Sequence, residues 1–349
     1  MRRSDAPSCV GRGGRAGRAA VATAAAVLAA LVAGCSGSGS TAAVDGPGSG
    51  VGPSGSGTGS PSTDPAARPS AAAALSRYTK VMVIAMENKT EGQVLDHPDA
   101  PVLTGLAARF GRPTRLDAGY PPKCPSLAAY LLLTSGSTHD VCDDKNPSAH
   151  PISGDNLFAQ VAASGRQYRN YAESMPENCY PKNSRDFLYV VRHAPAGYYV
   201  SERARCRDWQ IPLGSLTAGA LHDDLTAGTL PAYSFVTPNN CNNMHSTPRC
   251  PRRSVQIGDT WIGGWVRQIL ASPDYTAGRL AVFITWDEGT KQDNHIPAVV
   301  ISPTTLAARS ATAYTQCSMV RSIQEILRVP LLGCAAQAPS MLAEFKLGL

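Results

Sequence analysis

Two oxygen-bearing doublets and one serine are the residues whose types and spacing point to chemistry in this chain. Glu87 and Asn88 follow the apolar run 81–86 (VMVIAM), and Asp287 and Glu288 follow a second such run, 280–286 (LAVFITW). All four offer hard oxygen donors, which suit magnesium, calcium, manganese or ferrous iron better than a thiolate-seeking ion. Either doublet alone would read equally well as a helix cap or a solvated turn. Two at the ends of buried strands point to one divalent metal ion. Ser126 opens the apolar stretch 126–134 (SLAAYLLLT), at the mouth of an expected helix, where free amides and the helix dipole favour an anion. A serine there is most often only an N-cap. Beside a divalent ion, its oxygen becomes a nucleophile toward phosphorus, and Lys123 adds positive charge nearby. Of the seven histidines, His193, His245 and His295 each sit at an expected strand edge, within reach of one crevice as phosphate ligands or general acids. His97, His139, His150 and His222 have no such placement.

The elements that must position these groups follow from periodicity. Runs 81–86 and 280–286 read as buried strands of a parallel sheet, whose ligands bind beyond the carboxyl ends. Strands are also expected at 114–118, 167–172, 187–191, 232–236 and 296–301. Helices are expected at 101–110, 126–134, 155–163, 259–271 with Asp259 as N-cap, and 315–328. Strands alternating with helices give an α/β class: a mainly parallel central sheet flanked by helices.

Not all of the chain's 349 residues belong to that fold. Residues 1–18 carry five arginines and one aspartate, and the alanine-rich run 19–33 is shorter than the roughly 20 residues of a spanning helix. It ends in Leu-Val-Ala-Gly-Cys35, which resembles a bacterial lipobox, so 1–35 reads as a lipoprotein signal peptide with Cys35 as the lipidated residue. Residues 36–76 are Gly, Ser, Pro, Ala and Thr, a composition expected to form a flexible tether. Residues 77–349 form one large domain. Removing 1–35 leaves 27 basic against 25 acidic residues, a net charge near +2 instead of +6, with no basic stripe for nucleic acid. The expected location is the outer face of the cell membrane, or secreted. Beyond Cys9 and Cys35 the eight cysteines are even in number, and neighbour pairing is expected: 124–142, 179–206, 241–250 and 317–334. The absence of any C-x-x-C spacing argues against a zinc knuckle.

These motifs, in this order, resemble the bacterial phosphoesterase family of acid phosphatases and non-specific phospholipases C, within the alkaline-phosphatase superfamily. That family has a strand leading into Glu-Asn, a segment close to H-P-S-x-P-N-Y, a T-P-N…D-x-H segment, and a strand leading into Asp-Glu followed by N-H or D-H and proline. Here Glu87-Asn88 matches the first and the segment from Cys124 to Tyr130 the second. Thr237-Pro238-Asn239 through Asn243-Met244-His245 matches the third, and Asp287-Glu288 with Asn294-His295-Ile296-Pro297 the fourth. The resemblance spans residues 81 to about 303. It implies an alkaline-phosphatase-like sandwich and a metal held by Glu87, Asn88, Asp287 and Glu288. It further implies Ser126 as the phosphorylated nucleophile, substrate contacts at Lys123 and Asn239, and His245, His295 and His193 as phosphate ligands or proton donors. The chain departs from the pattern at Cys124 (for His), Ala128-Ala129 (for Pro-Asn) and Asn243 (for Asp).

The favoured reading is a metal-dependent phosphomonoesterase acting on a phosphorylated small molecule or lipid headgroup. A phospholipase C is the alternative within the class. A non-catalytic surface lipoprotein with a degenerate site is the alternative outside it, motivated by the substitutions around Ser126. A serine esterase would need a nucleophile elbow, and no G-x-S-x-G occurs.

Overall fold

Strands buried on both faces require continuous apolar runs, and the two longest such runs lie side by side at the centre of the sheet. The computed structural model describes residues 77–121, 123–245 and 247–348; the expected signal peptide, Cys35 and tether lie outside them. In chain order the strands are β1 Lys80–Met86, β2 Gly111–Pro113, β3 Leu116–Asp117, β4 Tyr168–Ala172, β5 Gln210–Pro212, β6 Tyr233–Thr237, β7 Leu280–Trp286, β8 Ala298–Ile301, β9 Ala308–Ser310 and β10 Tyr314–Thr315. Eight of them form one sheet in the order β5-β4-β6-β1-β7-β8-β2-β9, and β3 pairs with β10. All pairings in the large sheet are parallel except those of β8. The register of β1 on β7 pairs Met86 with Trp286, so Glu87 and Asp287 emerge as neighbours. This one alignment brings together residues 200 positions apart in sequence.

Helices cover the sheet. Leu127–Ser135 is buried along its whole length, as a helix apolar on every face through Leu133 must be, and packs on Gln316–Leu327. It ends at Gly136, whose φ of +69° and close approach to Leu332 O (2.6 Å from where a Cβ would stand) admit only glycine. The expected pairs Cys124–Cys142, Cys179–Cys206, Cys241–Cys250 and Cys317–Cys334 all form disulfides. Among the described residues no helix is long and apolar enough to cross a membrane.

Three local expectations are corrected. Asp259 is not an N-cap of its own helix, which starts a turn earlier and runs Ser254–Ala271. Its carboxylate instead accepts the amides of Val102 and Leu103 (3.0 and 2.8 Å), the free N–H groups at the start of the helix Pro101–Arg109. Residues 187–191 are not a strand. Ser184 and Asp186 side chains take the amides of Tyr189 and Leu188, leaving too few for a ladder, and a short 3₁₀ turn, Val191–His193, follows. The strand expected at 296–301 begins only at Ala298, since Pro297 has no amide to donate. The helix Ala220–Ala227 and the short edge strands β5 and β9 carried no signal that periodicity could detect.

Candidate active site

The site lies past the carboxyl ends of β1, β6 and β7. Glu87 and Asp287 are fully buried there. Asn88 follows with φ +43°, a left-handed conformation that asparagine tolerates better than most residues. That turn directs the Asn88 amide N–H onto Asp287 Oδ1 (3.0 Å) and its Nδ2 onto Glu288 Oε1 (2.8 Å). Ser126 Oγ, buried at the head of the helix Leu127–Ser135, lies 3.4 Å from Glu87 Oε2. The nucleophile candidate and both doublets therefore share one face and one cluster.

A ring of side chains fixes the carboxylates. Tyr130 donates its hydroxyl to Glu87 Oε1 at 2.6 Å, and His193 Nε2 stands 2.9 Å from the same oxygen. The Tyr130 and His193 rings stack at 5.0 Å. Tyr120 donates to Glu288 Oε2 at 2.9 Å. The β6 end leads into a loop whose Asn243 carbonyl accepts the Glu87 amide (2.8 Å), while Asn243 Oδ1 accepts the His245 amide (2.8 Å). Asn243 thus shapes the loop that carries His245 through its carbonyl and its carboxamide oxygen. Glu173, past the end of β4, holds the same loop by accepting from the Asn239 amide and the Asn242 side chain, and also accepts from Trp261 Nε1 of the helix Ser254–Ala271.

The electrostatics divide the two buried carboxylates. Burial alone would raise Glu87, but the His193 imidazole, with His245 and Arg192 behind it, brings it down to about 2. Asp287 is pushed well above the usual carboxylate range, by burial first and then by the charges of Glu87 and Glu288. Two adjacent carboxylates in a dry site cannot both ionise freely, so the negative charge rests on Glu87. Burial also lowers His193. Lys89 lies in the field of Glu87 and Asp287, half-buried, with its ammonium on Asn88 O at 3.1 Å; desolvation lowers its pKa against their attraction.

Does this set fit a divalent cation? Among the described residues, Asn88 Oδ1 and Asp287 Oδ2 are buried oxygens with no hydrogen-bond partner. Orphaned buried acceptors are rare, and a crowded carboxylate pair is costly. Both conditions are relieved by a cation, so the residues fit. Among the described residues no three His, Cys, Asp or Glu side chains surround one ion position. A cation here would therefore draw on the asparagine amide and the serine hydroxyl as well as carboxylates, with Glu288 turned toward Tyr120 and Asn88 at the rim.

The other site expectations divide. His193 joins the cluster directly, and His245 acts on Glu87 electrostatically, with its ring Nδ1 buried and unpaired among the described residues. His295 is turned elsewhere: its Nε2 lies 3.0 Å from Glu91 Oε2, and its side chain is 39% exposed. Asn239 spends its side chain within its own loop and on Ser174. Lys123 is exposed. The Leu127 amide, expected to be free for an anion, is taken by Asp144 Oδ1 at 3.1 Å, and Asp144 Oδ2 in turn pairs with Arg192 at 3.1 Å. Sequence reasoning missed the roles of Tyr120, Tyr130, Lys89, Glu173 and Asp144. For Tyr130 and Lys89 the spacing held a signal, one helical turn past Ser126 and one residue past Asn88. The other three lie on loops with no local cue.

Comparison with known proteins points the same way. A profile of the Phosphoesterase family matches residues 85–330. The phosphatidylinositol-3-phosphatase of Mycobacterium tuberculosis is 24% identical over 272 residues, covering 77% of this chain and 83% of that protein. An acid phosphatase of Aspergillus fumigatus is 25% identical over 255 residues, 68% of this chain but 54% of the fungal protein, so the chain spans about half of that relative. Among solved structures, a protein of the alkaline phosphatase superfamily from Vibrio parahaemolyticus superposes with a TM-score of 0.54 at 13% identity, over 76% of this chain and 71% of that one. That likeness shows the fold.

Proposed function

The chain belongs to the Phosphoesterase family and is a phosphoric ester hydrolase, and we propose that it cleaves phosphomonoesters in two steps through a phosphoserine at Ser126. The observation that carries this reading is the contact of Ser126 Oγ with Glu87 Oε2, beside the unpaired oxygens of Asn88 and Asp287. Glu87, Asn88 and Asp287, with Glu288 beside them, would hold a divalent cation. When bound, such a cation supplies charge stabilisation to phosphoryl oxygens and acidifies a nearby hydroxyl.

The chain's own residues do the rest. Ser126 Oγ forms a bond to phosphorus while its proton leaves toward Glu87 Oε2, whose other oxygen meets His193. The P–O bond to the substrate alcohol breaks with its electron pair on the alcohol oxygen, and His245 protonates that oxygen. Water then gives a proton back to His245 and attacks phosphorus, and the bond from phosphorus to Ser126 Oγ breaks with its electron pair on Oγ, which takes back the proton held at Glu87 Oε2. Tyr130 and His193 hold the Glu87 carboxylate in place. His295, turned to Glu91, takes no part in these steps. The Mycobacterium tuberculosis relative, named for a lipid phosphomonoester, supports lipid headgroups as a substrate class beside soluble phosphomonoesters. The four disulfides support an exported chain, anchored through Cys35 to the outer face of the membrane.

The test is turnover of p-nitrophenyl phosphate by the purified chain. Ser126→Ala and treatment with a chelator are each expected to lower kcat at least a thousandfold, with divalent cations restoring the chelated enzyme. Turnover surviving either treatment would overturn the mechanism. His245→Ala is expected to hurt alkyl phosphates far more than p-nitrophenyl phosphate, whose leaving group needs little protonation.

A further inference from the structure

Phe187 is a large apolar residue displayed where water should reject it. It is 50% exposed, and its φ of +55° is a genuine outlier for a bulky side chain. The surrounding backbone enforces that conformation. Its amide donates to Ser184 O (3.0 Å), its carbonyl accepts Asn240 Nδ2 (2.7 Å), and the next carbonyl, of Leu188, accepts the Asn240 amide (2.9 Å). The Arg249 guanidinium lies 5.7 Å from the ring centroid. Strain of this kind persists only where the surroundings over-determine it, and it clusters at functional positions.

The charge around the ring is one-sided. Segments 181–189 and 247–253 expose Lys182, Arg185, Arg249, Arg252 and Arg253, against the lone carboxylate of Asp186. That carboxylate is already engaged by Ser184 Oγ (2.5 Å) and the Leu188 amide (3.1 Å). The rest of the chain beyond residue 35 is close to charge balance, so this is a local concentration. An aromatic tip among arginines matches a bilayer interface, where the ring enters the headgroup layer and the cations meet lipid phosphates. Asn240, which pins Phe187, belongs to the loop that carries His245, so the face adjoins the mouth of the catalytic site.

We propose that segments 181–189 and 247–253 form a docking face for bilayers rich in anionic phospholipid. The face is independent of the phosphoserine reading, because docking requires no turnover. The test is amide hydrogen exchange of the full chain with vesicles of phosphatidylcholine, with or without 30% phosphatidylserine. Such exchange reports each segment separately and is not confused by the N-terminal region. Peptides covering 181–189 and 247–253 are expected to gain at least tenfold protection on the anionic vesicles only, and to lose it in 0.5 M salt. Phe187→Asn with Arg249→Ser should abolish the gain while leaving hydrolysis of soluble p-nitrophenyl phosphate unchanged. Because asparagine tolerates positive φ, Phe187→Asn alone should melt no lower than the parent. The proposal is overturned if vesicle-bound protein shows no protection of these segments, if neutral vesicles protect them equally, or if duplex DNA protects them and vesicles do not.

Discussion

Removing one oxygen atom from Tyr130 tests the idea that the Glu87 carboxylate is held by its neighbours. In Tyr130→Phe the ring still stacks on His193 and the buried volume hardly changes. What disappears is the 2.6 Å bond to Glu87 Oε1. The Tyr130 phenol is pushed well above its ordinary range by burial and by the charge of Glu87, so it remains a neutral donor throughout the working range of pH. A buried hydrogen bond to an ionised group contributes about 1.5–3 kcal/mol. A loss of about 2 kcal/mol in folding lowers Tm by roughly 4–8 °C for a domain of this size. The same loss, felt at the reacting serine, lowers kcat/KM by about 10- to 100-fold. Thermal unfolding by circular dichroism and p-nitrophenyl phosphate kinetics from pH 5 to 9 read both effects. The kinetic deficit should be nearly constant over that range, because the lost donor does not titrate within it. A Tyr130→Phe enzyme with parental Tm and parental kcat/KM would refute the argument, leaving Tyr130 as packing alone. Tyr130→Leu, which also removes the ring, should be worse in both measurements.

Two further outcomes concern the scaffold. Asp259→Ala strips two amides at the start of the helix Pro101–Arg109 of their acceptor and should cost about 1–2 kcal/mol in urea unfolding, with turnover of the aryl phosphate unchanged at temperatures where the variant is folded; unchanged stability would mean that water replaces the carboxylate fully. Replacing Cys124 and Cys142 together by serine opens a loop with a sequence separation of 18, which loop-closure entropy values at about 3 kcal/mol. This variant should also lose kcat, because the bridge steadies the segment just before Ser126, and a purely thermal effect would argue against that steadying.

Much of the scaffold could be read from residue order because the responsible physics is short-ranged. Apolar runs of six and seven residues ending in oxygen-bearing doublets read as buried strands, and the apolar stretch after Ser126 reads as a buried helix. Neighbouring cysteines in an even set also pair at short sequence distance, as all four bridges do. The choice of partner across the sheet was not legible in this way. Whether Asp259 caps its own helix or another, whether the Leu127 amide waits for an anion or is taken by Asp144, and whether a histidine faces Glu87 or Glu91 all depend on which loops the strand order brings together. The sequence by itself determined the two long central strands, the doublets at their ends and the helix-leading serine. Tertiary structure decided that His193 and Tyr130 grip Glu87, that His295 turns to Glu91, and that Phe187 stands out among arginines. The physical reason is that backbone propensity and hydrophobic period act over a few residues, whereas a buried polar atom takes whichever partner the packed chain delivers.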